Sequence, residues 1–143
     1  MSELLTEIKN RFPEIEVYEH NKRRLYLKIS KEKIREIAYF LHKEKGLRLS
    51  IMTGVDTRDG IEILYHFSED KTGTYYTVKI ITDRDNPEVD TISDITKASE
   101  WIEREIWELL GVNFIGHKNL KPLLTSEDWP RDKHPLRRDY EGI

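Results

Sequence analysis

Two groups of side chains in the last third of the chain have the types needed for chemistry. The first consists of His117, Asp128, Asp132 and His134, whose imidazole and carboxylate groups are common ligands of transition metals. Their spacing matches no compact metal-binding motif, and their segment has no periodicity that would hold them together. We therefore expect the two histidines to bind backbone groups of their own segment, and we predict no metal site.

The second group is a pair of carboxylates, Glu105 and Glu108, three residues apart on a predicted helix. Paired carboxylates can act as a general acid and a general base. Acidic residues at this spacing on a helix are far more often structural than catalytic. The 7 glycines are nowhere clustered into a phosphate-binding loop, and we predict neither a catalytic residue nor a bound cofactor.

Composition limits the possible classes further. The chain has 143 residues, 37% of them hydrophobic, which is enough for one domain with its own core. It contains no cysteine, which excludes a disulfide framework, a thiolate zinc site, a cysteine nucleophile and a self-supplied iron–sulfur cluster. The 24 Lys and Arg residues face 27 Asp and Glu residues, a net charge of −3 that disfavours an autonomous nucleic-acid binder.

The sequence also predicts a location and a type of source. Its apolar runs are too short for a membrane-spanning helix. Met1 to Lys9 carries two glutamates and lacks the apolar core of a signal peptide, so we expect a cytoplasmic protein. The absence of glutamine, with abundant Glu, Lys and Arg, is typical of thermophilic proteins.

Hydrophobic periodicity predicts a single α+β domain. The expected order is α-β-β-α-β-β-β-α, with an antiparallel-dominated sheet and helices packed on one face. The helices are predicted at Glu3 to Arg11, Lys31 to Lys45 and Lys97 to Leu110, the last ended by Gly111. An extended lead-in, Val89 to Ile95, precedes the third helix.

The end of the chain behaves differently. From Val112 to Ile143 no periodicity persists, although the stretch is rich in aliphatic and aromatic residues, which disordered tails lack. A long irregular stretch in a compact domain is usually functional. We therefore divide the chain into an α+β domain, residues 1–111, and an extended C-terminal docking arm, residues 112–143. The arm is expected to bury its anchors on its own domain or on another protein.

The third predicted helix departs from its pattern at two positions. Its apolar arc is formed by Ala98, Ile102, Ile106 and Leu109, flanked by Trp101 and Leu110. Glu105 falls inside that arc, where it must be protonated, paired with Arg137 or Arg138, or at the edge of the core. Trp107 falls on the charged side, where it either packs under the arm or anchors an interface.

Two motifs, in order, resemble those of a known family. The first comprises Glu103-Arg104-Glu105, Glu108, Leu109-Leu110, Gly111, Phe114 and Gly116-His117. The second comprises Leu120, Trp129 and His134-Pro135-Leu136-Arg137-Arg138-Asp139-Tyr140. Together with Pro87 to Ile95 they closely resemble the C-subunit family of the respiratory NADH:quinone oxidoreductase, complex I.

The chain departs from the family pattern in places. Lys118 stands where the family usually has proline, Lys121-Pro122 replaces a basic pair, and Glu141 replaces a common proline. The chain is also short for a bacterial member of that family. Short versions are similar to the homologous subunits of archaeal energy-converting complexes of the membrane-bound hydrogenase type, and the thermophile-like composition favours that group.

The resemblance implies a non-catalytic, cofactor-free scaffold subunit of the peripheral arm, on the cytoplasmic side of the membrane. It would pack beside the large hydrogenase-like subunit and the iron–sulfur subunits while electrons pass along clusters in those neighbours. The residues we assign to the partner interface are Trp107, Phe114, His117, Trp129, His134, Leu136, Arg137, Arg138 and Tyr140. Those we assign to the structural motif are Glu103, Arg104, Glu105, Glu108, Gly111 and Gly116.

A small stand-alone RNA-binding α+β domain is the alternative function. Lys22-Arg23-Arg24 forms a basic turn, and Arg137-Arg138 is a basic pair close to Tyr140. Exposed aromatic residues on such domains stack on RNA bases. That function needs a basic surface stripe, and the acidic excess of the chain speaks against it.

Overall fold

The computed structural model describes residues 3–118 and residue 120, and its elements confirm the predicted α+β class. The helices are α1 (Glu3–Arg11), α2 (Ile34–Tyr39) and α3 (Ala98–Leu110). A 3₁₀ turn (Lys31–Lys33) precedes α2, and a π-helical turn (Phe40–Glu44) extends it. The strands are β1 (Glu16–Asn21), β2 (Arg24–Lys28), β3 (Arg48–Asp56), β4 (Ile61–Glu69), β5 (Thr74–Thr82), β6 (Glu88–Asp90) and β7 (Asn113–Ile115).

Five strands form one mixed sheet in the order β1-β2-β5-β4-β3. Neighbouring strands are antiparallel except for β2 and β5, which run parallel with Leu27 opposite Val78. A parallel pair requires a crossover connection, because the chain must return to the same end of the sheet. Here that connection consists of α2, β3 and β4. The sheet is therefore antiparallel-dominated, as predicted.

The hydrophobic core lies on one face of the sheet, which is formed by every second residue of each strand. Leu27, Tyr65 and Val78 are each 0% exposed on this face, and Ile8 of α1 and Ile37 of α2 are equally buried. Burying a side chain of this size stabilises the fold by about 1.5–3 kcal/mol. The alternation of apolar and polar residues along the strands, with period two, accounts for the one-sided core.

The opposite face of the sheet carries exposed side chains and paired charges. Tyr18 is 64% exposed there, and its ring centroid lies 6.3 Å from that of Tyr26. Lys79 Nζ lies 3.0 Å from a Glu62 carboxylate oxygen. This pairing reduces the positive charge that the RNA-binding alternative would need beside its aromatic residues.

The helix predicted from Lys31 to Lys45 is present but is not uniform. The Ser30 hydroxyl caps its N-terminus, as the sequence indicates. At the other end the Lys45 N–H donates a hydrogen bond to the Phe40 carbonyl, five residues back, at 3.0 Å. This wider turn buries both Phe40 and Leu41.

Helix α3 packs directly on β3 because Gly54 has no side chain at the point of contact. A Cβ atom on Gly54 would lie 2.5 Å from Leu110 Cδ1 and 3.3 Å from Ile106 Cγ2, closer than carbon atoms pack. The helix ends at Gly111, as predicted. The φ of Gly111, 80°, is the left-handed conformation that glycine adopts at helix C-termini.

In the chain, β6 precedes α3 and β7 follows it. The two strands pair in parallel, with Val89 opposite Phe114. Val112 is 0% exposed and Phe114 is 1% exposed, and both belong to the core of the domain. These residues were predicted to begin the arm, because a three-residue strand is too short to show a period. The docking arm beyond residue 118 stays a prediction.

Candidate functional site

The part of the chain that the structure describes contains a cavity beside α3, where β7 ends. It has a volume of about 620 Å³ and lies next to the loop between β6 and α3. Its lining is rich in charged and polar groups: Arg35, Asp90, Thr91, Ser93, Asp94, Glu100, Ile115, Gly116, His117 and Lys118. Most of these residues come from the stretches that carry the family-like motif, so we take this cavity and its buried surroundings as the candidate site.

Helix α3 contributes Glu100 to the lining of the cavity and buries polar residues beside it. Four residues of this helix with polar or charged side chains are buried: Ser99, Glu103, Arg104 and Glu108. Glu105 is half-buried, which fits the edge of the core among the alternatives left open for it, and the fully buried acid of α3 is Glu103, at 0% exposure. The reason is the contact with β3, which turns Ile106 and Leu110 toward the sheet and carries Glu103 inward with them.

The Glu103 carboxyl joins α3 to the loop that precedes it. One oxygen, Oε2, accepts a hydrogen bond from the Ile92 N–H at 3.0 Å. The other, Oε1, is hydrogen-bonded to the Thr91 hydroxyl. Hydrogen bonds from a backbone amide and a hydroxyl are what a buried carboxyl requires to offset its loss of water. Glu103 is therefore held on both oxygens.

Burial raises the pKa of Glu103 to about 7, from a usual value near 4.5. The hydrogen bonds from Ile92 and Thr91 act in the opposite direction but are weaker than the loss of hydration. The charge of Asp94 raises this pKa further, and that of Arg35 lowers it. Glu103 consequently changes its charge in the neutral pH range, while remaining inside the protein.

Tyr65 of β4 also faces Glu103. Its side chain is 0% exposed, and its hydroxyl has no hydrogen-bond partner among the described residues. Burial, together with the negative charge of Glu103, holds the pKa of this phenol well above its usual value. Tyr65 therefore stays neutral and presents an uncharged hydroxyl to the buried side of α3.

His117 closes the site from the side of β7. It follows Gly116, whose φ of +88° turns the chain back toward α3. The imidazole is 1% exposed, and its Nε2 lies 2.9 Å from the Glu100 carbonyl oxygen and 4.0 Å from Glu103 Oε1. A carbonyl only accepts, so Nε2–H is the donor. His117 thus bonds a backbone carbonyl, although this carbonyl belongs to α3 and not to the segment of His117 itself.

An ion pair connects the loop of the site to the second helix. The Arg35 guanidinium donates to both carboxylate oxygens of Asp94, each at 2.8 Å, and to the Thr91 carbonyl at 2.6 Å. This two-pronged contact holds the pKa of Asp94 at about 2, although slight burial acts against it. Arg35 belongs to α2, so the loop is fixed between the two helices.

Among the predicted interface residues, Trp107 and Phe114 lie within the described part of the chain and contact the core. Trp107 is half-buried and packs against it, and Phe114 lies inside it as part of β7. The exposed tryptophan of α3 is instead Trp101, 58% exposed, with the Arg104 guanidinium 5.7 Å above its ring. Trp101 was not predicted to be exposed, because on the helical wheel it lies beside the apolar arc, where burial is expected.

The remaining predicted interface residues, Trp129, His134, Leu136, Arg137, Arg138 and Tyr140, lie outside the described residues, as do Asp128 and Asp132 of the metal hypothesis. Within residues 3–118 and 120, no group of three or more His, Asp or Glu side chains is arranged to hold a metal ion. Neither Glu105 nor Glu108, the pair considered for acid–base chemistry and judged structural, lines the cavity. The partner-interface and structural assignments stay predictions.

The α+β architecture is shared with solved structures. A trypsin-resistant fragment of Nqo5 aligns with a TM-score of 0.67 at 20% identity, covering 82% of this chain and 96% of that chain, and shows the same fold. A chain of the membrane-bound sulfane sulfur reductase, an archaeal respiratory membrane complex, aligns with a TM-score of 0.84 at 28% identity. That alignment covers 97% of this chain and 84% of the other.

The chain belongs to the family described as respiratory-chain NADH dehydrogenase, 30 Kd subunit, whose model matches residues 27–143. The resemblance carried by the two motifs is thereby confirmed. The C-subunit of the NADH-quinone oxidoreductase of Chloroherpeton thalassium is 33% identical over 110 residues, which make up 73% of this chain. The beta subunit of the membrane-bound hydrogenase of Pyrococcus furiosus is 30% identical over 144 aligned residues, covering 95% of this chain and 83% of that protein.

The relatives differ in length. The match covers 45% of the C. thalassium protein. It covers 22% of the C/D-subunit of the NADH-quinone oxidoreductase of Phocaeicola vulgatus, which is 34% identical over 118 residues, 80% of this chain. Within residues 3–118, no helix is long and apolar enough to span a membrane.

Proposed function

We propose that this protein is a non-catalytic, cofactor-free scaffold subunit of a complex I-like NADH/quinone oxidoreductase or a related energy-converting hydrogenase. In this role it packs against the large subunit and the iron–sulfur subunits and supports electron transfer between them. The observation that carries the proposal is the family match over residues 27–143. The likeness in sequence and structure to a chain of a respiratory membrane complex, over 97% of this chain, supports it.

The shape of the candidate site favours docking over catalysis. Glu103 and Tyr65, whose pKa values are raised by burial, are not exposed to solvent. The carboxyl of Glu103 is bound by Thr91 and Ile92 of the same domain. A general acid or base must reach a substrate. The site lies instead where the chain passes from β7 toward the second motif, so its role in this proposal is to position the predicted docking arm, residues 112–143.

One observation bears on the partner and, through it, on the location. The P. vulgatus relative is a C/D-subunit, in which this domain is one part of a longer protein. The D portion of such a protein, which we take to be the large hydrogenase-like subunit, is thus the first partner that we propose for the arm. Association with the cytoplasmic side of a membrane would then occur through the complex.

The proposal predicts that the basic pair of the second motif is needed for assembly. Arg137→Ala/Arg138→Ala in the full-length tagged chain should reduce recovery of the large subunit from solubilised membranes at least tenfold, because charge-assisted contacts at an interface are lost. The matched control is Arg23→Ala/Arg24→Ala at the β1–β2 turn, which removes the same charge at the sheet. Equal recovery with both double variants would contradict the docking role of the arm.

The cofactor-free part of the proposal has its own test. The purified full-length chain should contain no stoichiometric metal by elemental analysis and should show the same melting temperature with chelator and with Zn²⁺. A metal-dependent rise in melting temperature that is lost in His134→Ala would instead support the His117/His134 metal site.

A further inference from the structure

One buried carboxyl connects three separate stretches of this chain. Glu103 projects from α3, its oxygens bind Thr91 and Ile92 of the preceding loop, and its Oε1 lies 4.0 Å from the His117 ring. We call these four residues the Glu103 joint. The β6–β7 pair lies beside it, with the Thr91 N–H donating to the Ile115 carbonyl at 2.9 Å. Opening the joint would therefore release the base of the segment that continues beyond residue 118.

Charged and titratable groups face Glu103 from α2, from the loop before α3, from β4 and from the chain after β7. Arg35 of α2 carries a positive charge, and Asp94 of the loop carries a negative charge that Arg35 neutralises. Tyr65 of β4 is neutral, and His117 follows β7. Because Arg35 is already bound to Asp94, its charge is shared and does not by itself compensate an ionised Glu103.

The two protonation states of Glu103 fit the joint differently. The Ile92 N–H and the Thr91 hydroxyl donate to the two oxygens of Glu103, and a carboxyl accepts both bonds whether it is neutral or ionised. The ionised form differs in carrying a full charge, and at 0% exposure that charge has lost its hydration by water, which costs the ionised form far more than the neutral one. Exposure to solvent relieves the ionised form and gives the neutral form nothing comparable.

We propose that the Glu103 joint is a proton-responsive hinge, in which ionisation of Glu103 promotes local opening between α3, the 91–92 loop and the chain that leaves β7. The inference concerns the isolated chain and does not depend on the proposed function. It follows from the burial of the carboxyl and from its position between the three stretches.

The expected size follows from linkage between opening and ionisation. In the open joint the pKa of Glu103 returns toward 4.5, whereas in the closed joint it is about 7. Opening should then become about tenfold more frequent for each pH unit between these two values and level off above pH 7. The full rise over this range is about 300-fold.

Amide hydrogen exchange followed by NMR on the full-length chain tests the hinge. The protection factors of the Thr91 and Ile92 amides, normalised to intrinsic exchange, should fall steeply from pH 5 to pH 7 in the unmodified protein. They should stay level in Glu103→Gln, which retains the shape and the acceptor oxygen. The Ile29 amide, bonded to the Lys79 carbonyl in the sheet, serves as an internal reference and should show no such fall.

Glu105→Gln is the matched control, because it removes the same charge from the same helix at a half-buried position. It should retain the pH-dependent fall. A fall that persists in Glu103→Gln, or one that the Ile29 amide shares fully, would overturn the hinge. If Glu103→Gln does not fold, the carboxyl ¹³C titration of Glu103 in the unmodified chain decides: a midpoint near 4.5 overturns the proposal, and a midpoint near 7 that matches the Thr91 and Ile92 profile supports it.

Discussion

Helices α2 and α3 contribute to the same core, but they bury different kinds of side chains. The α2 segment buries apolar residues, among them Ile34, Ile37 and Leu41. Helix α3 also contributes Ile106 and Leu110, but beside them it buries the polar and charged residues Ser99, Glu103, Arg104 and Glu108. The buried contacts of the α2 segment are apolar, whereas α3 adds to its apolar contacts the directional hydrogen bonds of Glu103.

This difference indicates what each helix contributes. Apolar burial supplies free energy and tolerates small shifts in position. A buried polar group is stable only when its partners lie at the right distance and angle, so it determines where those partners sit. The α2 segment mainly stabilises the domain, whereas α3 also positions the 91–92 loop and His117. The following variants separate the two contributions, beginning with the largest expected effect.

The variant Ile37→Ala should lower the free energy of unfolding by about 2–5 kcal/mol, because a fully buried side chain is replaced by a cavity. Guanidinium chloride unfolding at pH 5 and pH 8 should give the same loss, since no ionisable group is involved. Ile51→Ala, at a position 54% exposed on the opposite face of the sheet, is the control and should cost much less. Equal losses at the two positions would contradict the one-sided core.

The variant Glu103→Gln should change the pH dependence of stability and not only its level. Because the folded pKa is raised to about 7, the folded state binds the proton more tightly than the unfolded chain, and the free energy of unfolding falls as the pH rises from 4.5 to 7. Removing the titrating group should abolish up to about 3 kcal/mol of this fall. Unfolding curves at pH 5 and pH 8 measure it, and Glu105→Gln should leave the fall in place.

The variant Gly111→Ala should cost about 1 kcal/mol, because an alanine is strained at the φ of 80° that ends α3. The loss is expected to be independent of pH, unlike that of Glu103. Thermal unfolding followed by circular dichroism is sufficient to measure it. A neutral result would show that the C-terminus of α3 rearranges without the left-handed turn.

The smallest effect is expected for the ion pair between α2 and the loop that precedes α3. Arg35→Gln should cost roughly 0.5–1 kcal/mol, because the Arg35 and Asp94 side chains are 41% and 61% exposed and screened by water. A double-mutant cycle with Asp94→Asn isolates the pair, and its coupling should shrink in 1 M salt. A coupling that salt does not change would show that this pair behaves as a buried polar contact and not as an exposed ion pair.

Features that depend on apolar burial could be predicted from the sequence, whereas those that depend on buried polar contacts could not. The bounds of α1, Glu3–Arg11, were predicted correctly, and those of α3, Ala98–Leu110, to within one residue. In both, apolar spacing and a terminating residue, Pro13 or Gly111, carry the signal. The element order of the main sheet could also be predicted, because strand alternation depends on one buried face.

The buried face of α3 could not be found in this way. Periodicity assumes that buried residues are apolar, so it selected Glu105 as the misplaced acid and passed over Glu103. Glu103 is buried because of hydrogen bonds to Ile92 and Thr91, which lie outside the helix. One available signal was Gly54, because a glycine within a strand can mark the place where a helix packs closely on the sheet. Such contacts between distant residues leave no local pattern.

The parallel pairing of β2 with β5 has a consequence for the order of folding. The meander β3–β4–β5 is made of neighbouring hairpins and requires only short loop closures. The hairpin β1–β2 meets the meander through Leu27 and Val78, which are far apart along the chain. Because closing long loops slows folding, the first hairpin should join a sheet that is already formed. During synthesis on the ribosome, the earliest strands to emerge would thus be the last to find their places.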